Sequence, residues 1–403
     1  MTRFALVFCL VTVLQPVAGA RPIQAGQSSD ATALDLLLLL FEAIAERNPN
    51  YDDTLGAIAT LDSQQQEERL AALAERNARD PRVAALVDSL LASSAYKMYF
   101  RQFSNVTPDV HRSVFSALPY RAIPSPADIG QVQLELFHHR DSLAALVKKI
   151  SMVNIDQAVS IARRWAPSGN LLVPTTYYIL DGNADAFAKD GTVCFDLYGV
   201  LLSKRPALNR YNNLADIPNA EIEAVLAHEF QHVFAQPHLY PPTRKFDNWR
   251  DLWEDVIIRR IVSEGVASQC NPPYGLKKAI YEDSVVIGFW LRELERVMGQ
   301  IRRNETTEDS VRAWLERSYQ ESARQQLADY LKRTYPEADQ QILLQEHIAD
   351  RPRGIYSLGW WMVSHIAAAP GGHDSAVQLL DAPHEVIRLY NATVTDSLLK
   401  IAL

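Results

Sequence analysis

His228, Glu229 and His232 stand in the order His-Glu-Phe-Gln-His, inside the stretch Val-Leu-Ala-His-Glu-Phe-Gln-His-Val-Phe that runs from Val225 to Phe234. Residues four apart share one face of an α-helix, so both imidazoles can point at a single cation. Glu229 lies beside the first of them and can reach a water at that cation, taking its proton as the water attacks a carbonyl. Imidazole is a borderline-soft ligand and a catalytic zinc keeps one position open for water, so one Zn2+ ion is the expected cofactor. Val225 and Leu226 precede the motif, uncharged Phe230 and Gln231 fill its interior, and Val233 and Phe234 follow it. The bland alternative is a helix whose histidines are merely solvated.

This extended pattern resembles the zinc-binding helix of metallopeptidases. Two histidines do not hold a catalytic zinc, and a third protein ligand is needed. His238 gives H-E-x-x-H-x-x-A-x-x-H, similar to the metzincin motif, but Ala235 stands where that family has the glycine that turns the chain back. A left-handed alanine costs roughly 1 kcal/mol or more. Met298, in a strongly helical stretch, is a poor counterpart of that family's downstream methionine. Glu264 is the favoured ligand. It falls on the Ile257–Ile261 face of a second helix, and a buried, unpaired carboxylate is costly unless it binds a cation. Its setting, Glu264-Gly265-Val266-Ala267, resembles gluzincins, whose third ligand is a glutamate on the next helix. Gly265, Ala267 and Ser268 are small enough to let this helix approach the zinc helix. Glu254 is nearer the spacing of thermolysin-like enzymes but lacks their Asn-Glu-x-x-Ser-Asp setting, and is read as facing solvent.

The gluzincin resemblance implies a later Tyr or His that hydrogen-bonds the oxyanion of the tetrahedral intermediate. Tyr356 is the candidate, between Gly354 and Gly359, with anchoring of a helix start as the alternative. Arg353 could bind a substrate carboxylate but reads more simply as a surface residue. His138 and His139 are adjacent, so on a helix they diverge by about 100° and suit a surface or capping role. His347, His365 and His373 have no recognisable spacing. The resemblance runs from about Leu171 to Ser268 and extends toward Gly359. It is closest to uncharacterised zinc-dependent peptidases of secreted bacterial proteins. The Gly-x-Met-Glu-Asn segment of the aminopeptidase branch is missing, so that activity is not implied.

The elements that must position these residues follow from the pattern. Leu34–Ala45, Glu67–Ala74, Val83–Leu91 and Leu143–Ile150 repeat apolar residues at helical steps, broken near Pro49, Pro81 and Pro119–Pro126. Leu171–Leu180 and Thr192–Leu202, rich in Val, Thr, Tyr and Leu, read as two strands around Asp181-Gly182-Asn183. In metallopeptidases of this type an edge strand before the zinc helix pairs with substrate backbone, which marks Asn183–Phe187 as a candidate contact, or else an ordinary loop. The zinc helix is expected to start near Asp216–Asn219 and stop by Gln236, ahead of Pro237, with a second helix over about Asn248–Ser268. Helices are expected again over Leu276–Ile301, Thr307–Tyr335 and Ala338–Ile348, and the stretch from Arg351 to Val363 reads as entering another. The fold class is α+β and mostly helical, with a small antiparallel or mixed sheet next to a zinc-binding helix pair (zincin-like). The expected division is 1–20 signal peptide, 21–166 helical region, 167–270 zincin-like core and 271–403 helical region completing the cleft.

The chain has 403 residues, 48% hydrophobic and 22% charged, with a formal net charge of −8, so a sizeable core is possible. No basic run argues for nucleic acid or an anionic membrane surface. Arg3, the apolar Phe4–Leu14 and Ala18-Gly19-Ala20 read as an export signal whose removal would leave a net charge of −9, Arg3 being its only charge. No later stretch has the 18 or more apolar residues of a membrane span. The short Leu36–Phe41 run reads as a buried helix. A secreted or periplasmic protein is expected. Cys194 and Cys270 would then be free to pair, or to remain buried thiols. Asn105, Asn304 and Asn391 are sequons that matter only in a eukaryote.

Two classes of function remain open. One is a zinc metallopeptidase acting on peptide or protein substrates, with metal ligands His228, His232 and Glu264, catalytic Glu229 and Tyr356. The other is a non-catalytic exported helical binding protein with a structural or relic metal site, its ligand groove lined by Trp249, Trp253, Trp360 and Trp361 if these are not core. Intact Glu229 speaks for the first, because a structural zinc needs no general base. Zinc-dependent hydrolysis of a non-peptide amide is a third, weaker option.

Overall fold

The sequence punctuates its helices with side chains that satisfy the first free backbone N–H groups. Asp62 accepts from the backbone of Gln65 in a reciprocal capping box, Asp80 and Thr107 each precede a proline in the first turn, and Asn248 and Asp283 each accept from two successive N–H groups. The result, in a computed structural model, is a mostly helical protein with one small sheet. It describes residues 29–103, 106–169, 172–182, 186–189, 191–198, 218–241, 245–273, 275–317, 321–344 and 353–403. The expected export signal Met1–Ala20, Asn105, His347 and the start of the Asn183–Phe187 segment lie outside the described residues.

The chain forms two compact units. The first unit, residues 1–155 and 174–222, begins with β1 (Ser29–Asp30) and the helices α1 (Thr32–Arg47), α2 (Tyr51–Ile58), α3 (Ser63–Ala78), α4 (Pro81–Leu91), α5 (Ser94–Gln102), α6 (Pro108–Ala117), α7 (Ile129–His138) and α8 (Arg140–Ile150). The strands β2 (Thr175–Ile179), β3 (Ala186–Lys189) and β4 (Thr192–Asp196) complete it. α1 buries Leu34, Leu37, Leu40 and Phe41 against α4, α8 and β2, as its apolar run leads one to expect.

The sheet is mixed, in the order β1-β2-β4-β3, with β1 and β4 parallel to β2 and β3 antiparallel to β4. Two strands therefore stand where the sequence pattern put them, and two more join. β1 is two polar residues long and has no alternation to betray it. β3 pairs back on β4 through a turn containing Gly191, whose φ of 74° suits glycine. Val193–Asp196 are all buried, so β4 is covered on both faces and reads as a near-continuous apolar run.

The second unit, residues 156–173 and 223–403, holds most of α9 (Ile155–Arg164) and of α10 (Asn219–Leu239), then α11 (Trp249–Cys270), α12 (Gly275–Tyr281), α13 (Ser284–Arg302), α14 (Glu308–Arg317), α15 (Glu321–Thr334), α16 (Glu337–Leu344), α17 (Arg353–Ala368), α18 (Gly372–Gln378) and α19 (Val386–Thr393). Three boundaries differ from the sequence-based expectation. α10 does not stop at Gln236 but runs through Pro237 to Leu239. A proline costs one hydrogen bond, and in the last turn the remaining bonds carry on, with Tyr240 N–H donating to the Gln236 carbonyl at 2.9 Å. The Leu276–Ile301 helix is two, because Asp283 caps a fresh start at Ser284. Thr307–Tyr335 is likewise divided into α14 and α15. No helix among the described residues is long and apolar enough to cross a membrane.

Candidate metal centre

His228, Glu229 and His232 sit mid-way along α10, where Phe230 and Phe234 bury the opposite side of the helix. His228 and His232, four residues apart, turn the same way, with ring centroids 4.8 Å apart and planes at 83°. Their Nε2 atoms are 3.1 Å from each other. Glu264 comes from α11, whose surface is buried almost all round from Ile257 to Ser268. Its Oε2 lies 3.6 Å from Nε2 of His228 and 3.4 Å from Nε2 of His232.

Three ligand atoms in a tetrahedral shell about 2.0–2.1 Å from zinc lie about 3.3 Å apart. The separations of 3.1, 3.4 and 3.6 Å bracket that value. The three side chains thus form a group that could hold a metal ion, and no other such group exists among the described residues. Glu264 Oε2 is buried and accepts no hydrogen bond among the described residues, an arrangement that costs on the order of several kcal/mol unless a cation meets it. Burial by itself pushes the Glu264 carboxyl up, yet His232, His228 and then Arg260 (Nη1 4.0 Å from Oε1) together hold it well below the usual carboxylate range. The donor set, two imidazoles and one carboxylate, is one that zinc favours.

The histidine side chains are 14% and 19% exposed against 5% for Glu264, so the group is open to water on the side of α10. Glu229, on the same turn as His228, is half-buried. Tyr356 lies in the first turn of α17, also half-buried, three residues before Gly359. That glycine meets α11. A Cβ built on Gly265 would fall 2.4 Å from the Gly359 carbonyl oxygen, and one built on Gly359 2.5 Å from that of Ile261. The small residue beside Glu264 therefore serves the crossing with α17, not an approach to α10, because neighbours on a helix point about 100° apart. Gly354 faces the ring of Trp290.

The other candidates have other partners. His238 Nδ1 is 2.8 Å from Asp381 Oδ1, away from the two imidazoles, and Glu254 pairs with Arg302. His138 meets the Tyr51 hydroxyl at 3.4 Å and His139 links α7 to α8 as their shared cap residue. His365 lies against Trp361 and His373 against Trp165, with the rings of each pair tilted. Trp253 and Trp360 belong to the core; Trp249 and Trp361 are half-buried, and Trp361 donates to the Tyr390 hydroxyl. Cys194 and Cys270 are both free, buried thiols, pushed well up by burial.

Two residues went unnoticed in the sequence. Ser263 places its Oγ 3.0 Å from Nδ1 of His232. Tyr240, just after α10, has a phenol pushed up to about 12 by burial, with Arg260 opposing and Glu264 adding to the rise, so it stays a hydrogen-bond donor at neutral pH. Serine and tyrosine are too common for either position to stand out without coordinates.

One known family, described as "Putative zinc dependent peptidase (DUF5700)", matches residues 87–397. The chain belongs to this family. The match spans both histidines, Glu229, Glu264 and Tyr356, and the family's description implies zinc dependence and peptide substrates. No curated protein and no solved structure matches the chain.

Proposed function

We propose that this member of the family is an exported zinc metallopeptidase of the gluzincin type, hydrolysing peptide bonds with Glu229 as general base. The observation that carries the reading is the convergence of two imidazole nitrogens and one buried, otherwise unbonded carboxylate oxygen at tetrahedral-edge separations. His228, His232 and Glu264 would hold one zinc ion. Bound there, zinc supplies Lewis acidity, polarising the scissile carbonyl and acidifying a water.

The rest is the work of this chain's own side chains. Two neutral donors and one anion leave a dication with one positive charge uncompensated, which suits a site where negative charge develops on a carbonyl oxygen. Glu229 takes the proton of the attacking water at its carboxylate and hands it to the leaving amine nitrogen. The phenol of Tyr356 donates to the developing oxyanion. Residues 1–20 act as the export signal and place the mature chain in the periplasm or outside the cell.

Glu229→Gln keeps the size of the side chain and removes the base. Hydrolysis of casein or of a peptide library should fall about 10²–10⁴-fold while the bound zinc stays at one ion per chain. Turnover equal to that of the unaltered enzyme would refute the mechanism.

A further inference from the structure

α11 touches the His232 ring at both of its nitrogens. Ser263 and Glu264 are consecutive, and they project from the helix about 100° apart. The Ser263 hydroxyl lies 3.0 Å from Nδ1, while the Glu264 carboxylate lies 3.4 Å from Nε2. The ring is therefore gripped edge-on between two neighbouring side chains of one helix. Ser263 is only 6% exposed, so water competes poorly for its hydroxyl.

A neutral imidazole carries one N–H and one lone pair, and whatever binds the first nitrogen decides what the second can do. If Nδ1 donates its N–H to Ser263 Oγ, the Nε2 lone pair is left facing Nε2 of His228 and Oε2 of Glu264. The opposite tautomer would turn an N–H into the space between the three donor atoms, where a cation could not then be met.

We propose that Ser263 is a positioning residue of the metal centre: its hydroxyl selects the His232 tautomer and fixes the ring plane, so that metal affinity depends on a side chain that does not touch the metal. This rests on the zinc-site reading above. Because a hydroxyl is neutral, it orients the ring without adding a second negative charge to the donor set.

The test compares zinc affinity, measured by competition with a chromophoric chelator, for the full-length protein and for Ser263→Ala, Ser263→Thr and Ser268→Ala. Circular dichroism and thermal unfolding of the zinc-free proteins confirm that each variant is folded. Removing an orienting partner costs about 10–100-fold in metal affinity, and Ser263→Ala should lose that much. Ser263→Thr, which keeps the hydroxyl, should recover most of it, and Ser268→Ala, a buried serine on the same helix, should bind as the unaltered chain does. The visible spectrum of the cobalt-substituted protein should shift in Ser263→Ala only. Unchanged affinity in folded Ser263→Ala, or a Thr variant as weak as the Ala one, overturns the proposal and leaves the metallopeptidase reading standing. Failure of the unaltered chain to bind zinc overturns both.

Discussion

Each compact unit sets histidine beside a buried carboxylate, and the two arrangements end differently. In the first unit His111 and Asp181 have no exposed side-chain surface and meet directly at 2.7 Å. The other ring nitrogen of His111 lies 3.2 Å from the Thr107 carbonyl, and the rings of Tyr96, Tyr99 and Phe100 stand edge-on around it. Both nitrogens are taken, and the pair ties α6 to the end of β2. In the second unit His228, His232 and Glu264 keep 3.1–3.6 Å between donor atoms that all face one point. A histidine set against a buried acid is common to both. Each site leaves one buried carboxylate oxygen, Asp181 Oδ2 or Glu264 Oε2, without a hydrogen bond among the described residues, so what separates the two is whether the imidazole nitrogens are spent on separate partners or still face a shared space.

Removing a donor should sharpen this contrast most. A zinc site is worth on the order of 10–16 kcal/mol, so losing one ligand costs about 3–4 kcal/mol, or roughly 10²–10³-fold in affinity. Glu264→Ala should show that loss in a zinc titration, whereas His238→Ala, whose histidine is occupied by Asp381, should bind zinc normally. Equal losses in the two variants would break the comparison.

Asp181→Asn should have a smaller effect, and on folding. A buried, charge-assisted hydrogen bond contributes about 1.5–3 kcal/mol. Burial pushes the His111 imidazole down, but Asp181 and the Thr107 carbonyl outweigh it and its pKa is raised. A raised folded-state value means the pair's stabilisation is fully present below about pH 6.5 and fades as pH rises through the raised value. Urea unfolding of the unaltered chain should therefore lose this contribution as pH rises through that raised value, and Asp181→Asn should flatten that slope. A slope unaffected by the substitution would place the titrating group elsewhere.

Gly265→Ala is expected to cost least, about 1–3 kcal/mol from overpacking, because a methyl there meets the Gly359 carbonyl at 2.4 Å. The relief must come from a shift of α11 or α17, and a shift of α11 carries Glu264 with it. A calorimetric scan should show the lower midpoint, and zinc affinity should fall in step with it.

How much of this was written in the sequence depends on distance along the chain. The convergence of His228 and His232 was legible because their geometry is made within one helical turn. The third donor was legible only as a choice among Glu264, His238 and Glu254. Residue type and burial favoured the first, but what occupies the other two is decided by Asp381 and Arg302, which no spacing rule connects to them. Ser263 was invisible, since a hydroxyl becomes informative only when its neighbour in space is known. In the fold, periodicity found the long helices and strands β2 and β4, while β1 escaped because its two polar residues are strands only by virtue of pairing with Thr176 and Tyr177. The run of α10 through Pro237 escaped for a related reason. Local rules weigh the bond that proline loses and not the turn already formed around it.

The contact between Gly265 and Gly359 limits what evolution can do here. Most packing clashes can be repaired by shrinking the opposite side chain, but at this crossing both sides are already at the smallest residue the genetic code offers. Neither position can drift and be rescued by the other. Across the family the two should stay fixed together even where the faces of their helices diverge, so that a pair of residues with no reactive atoms becomes as faithful a marker of the Glu264 position as the histidine pair itself.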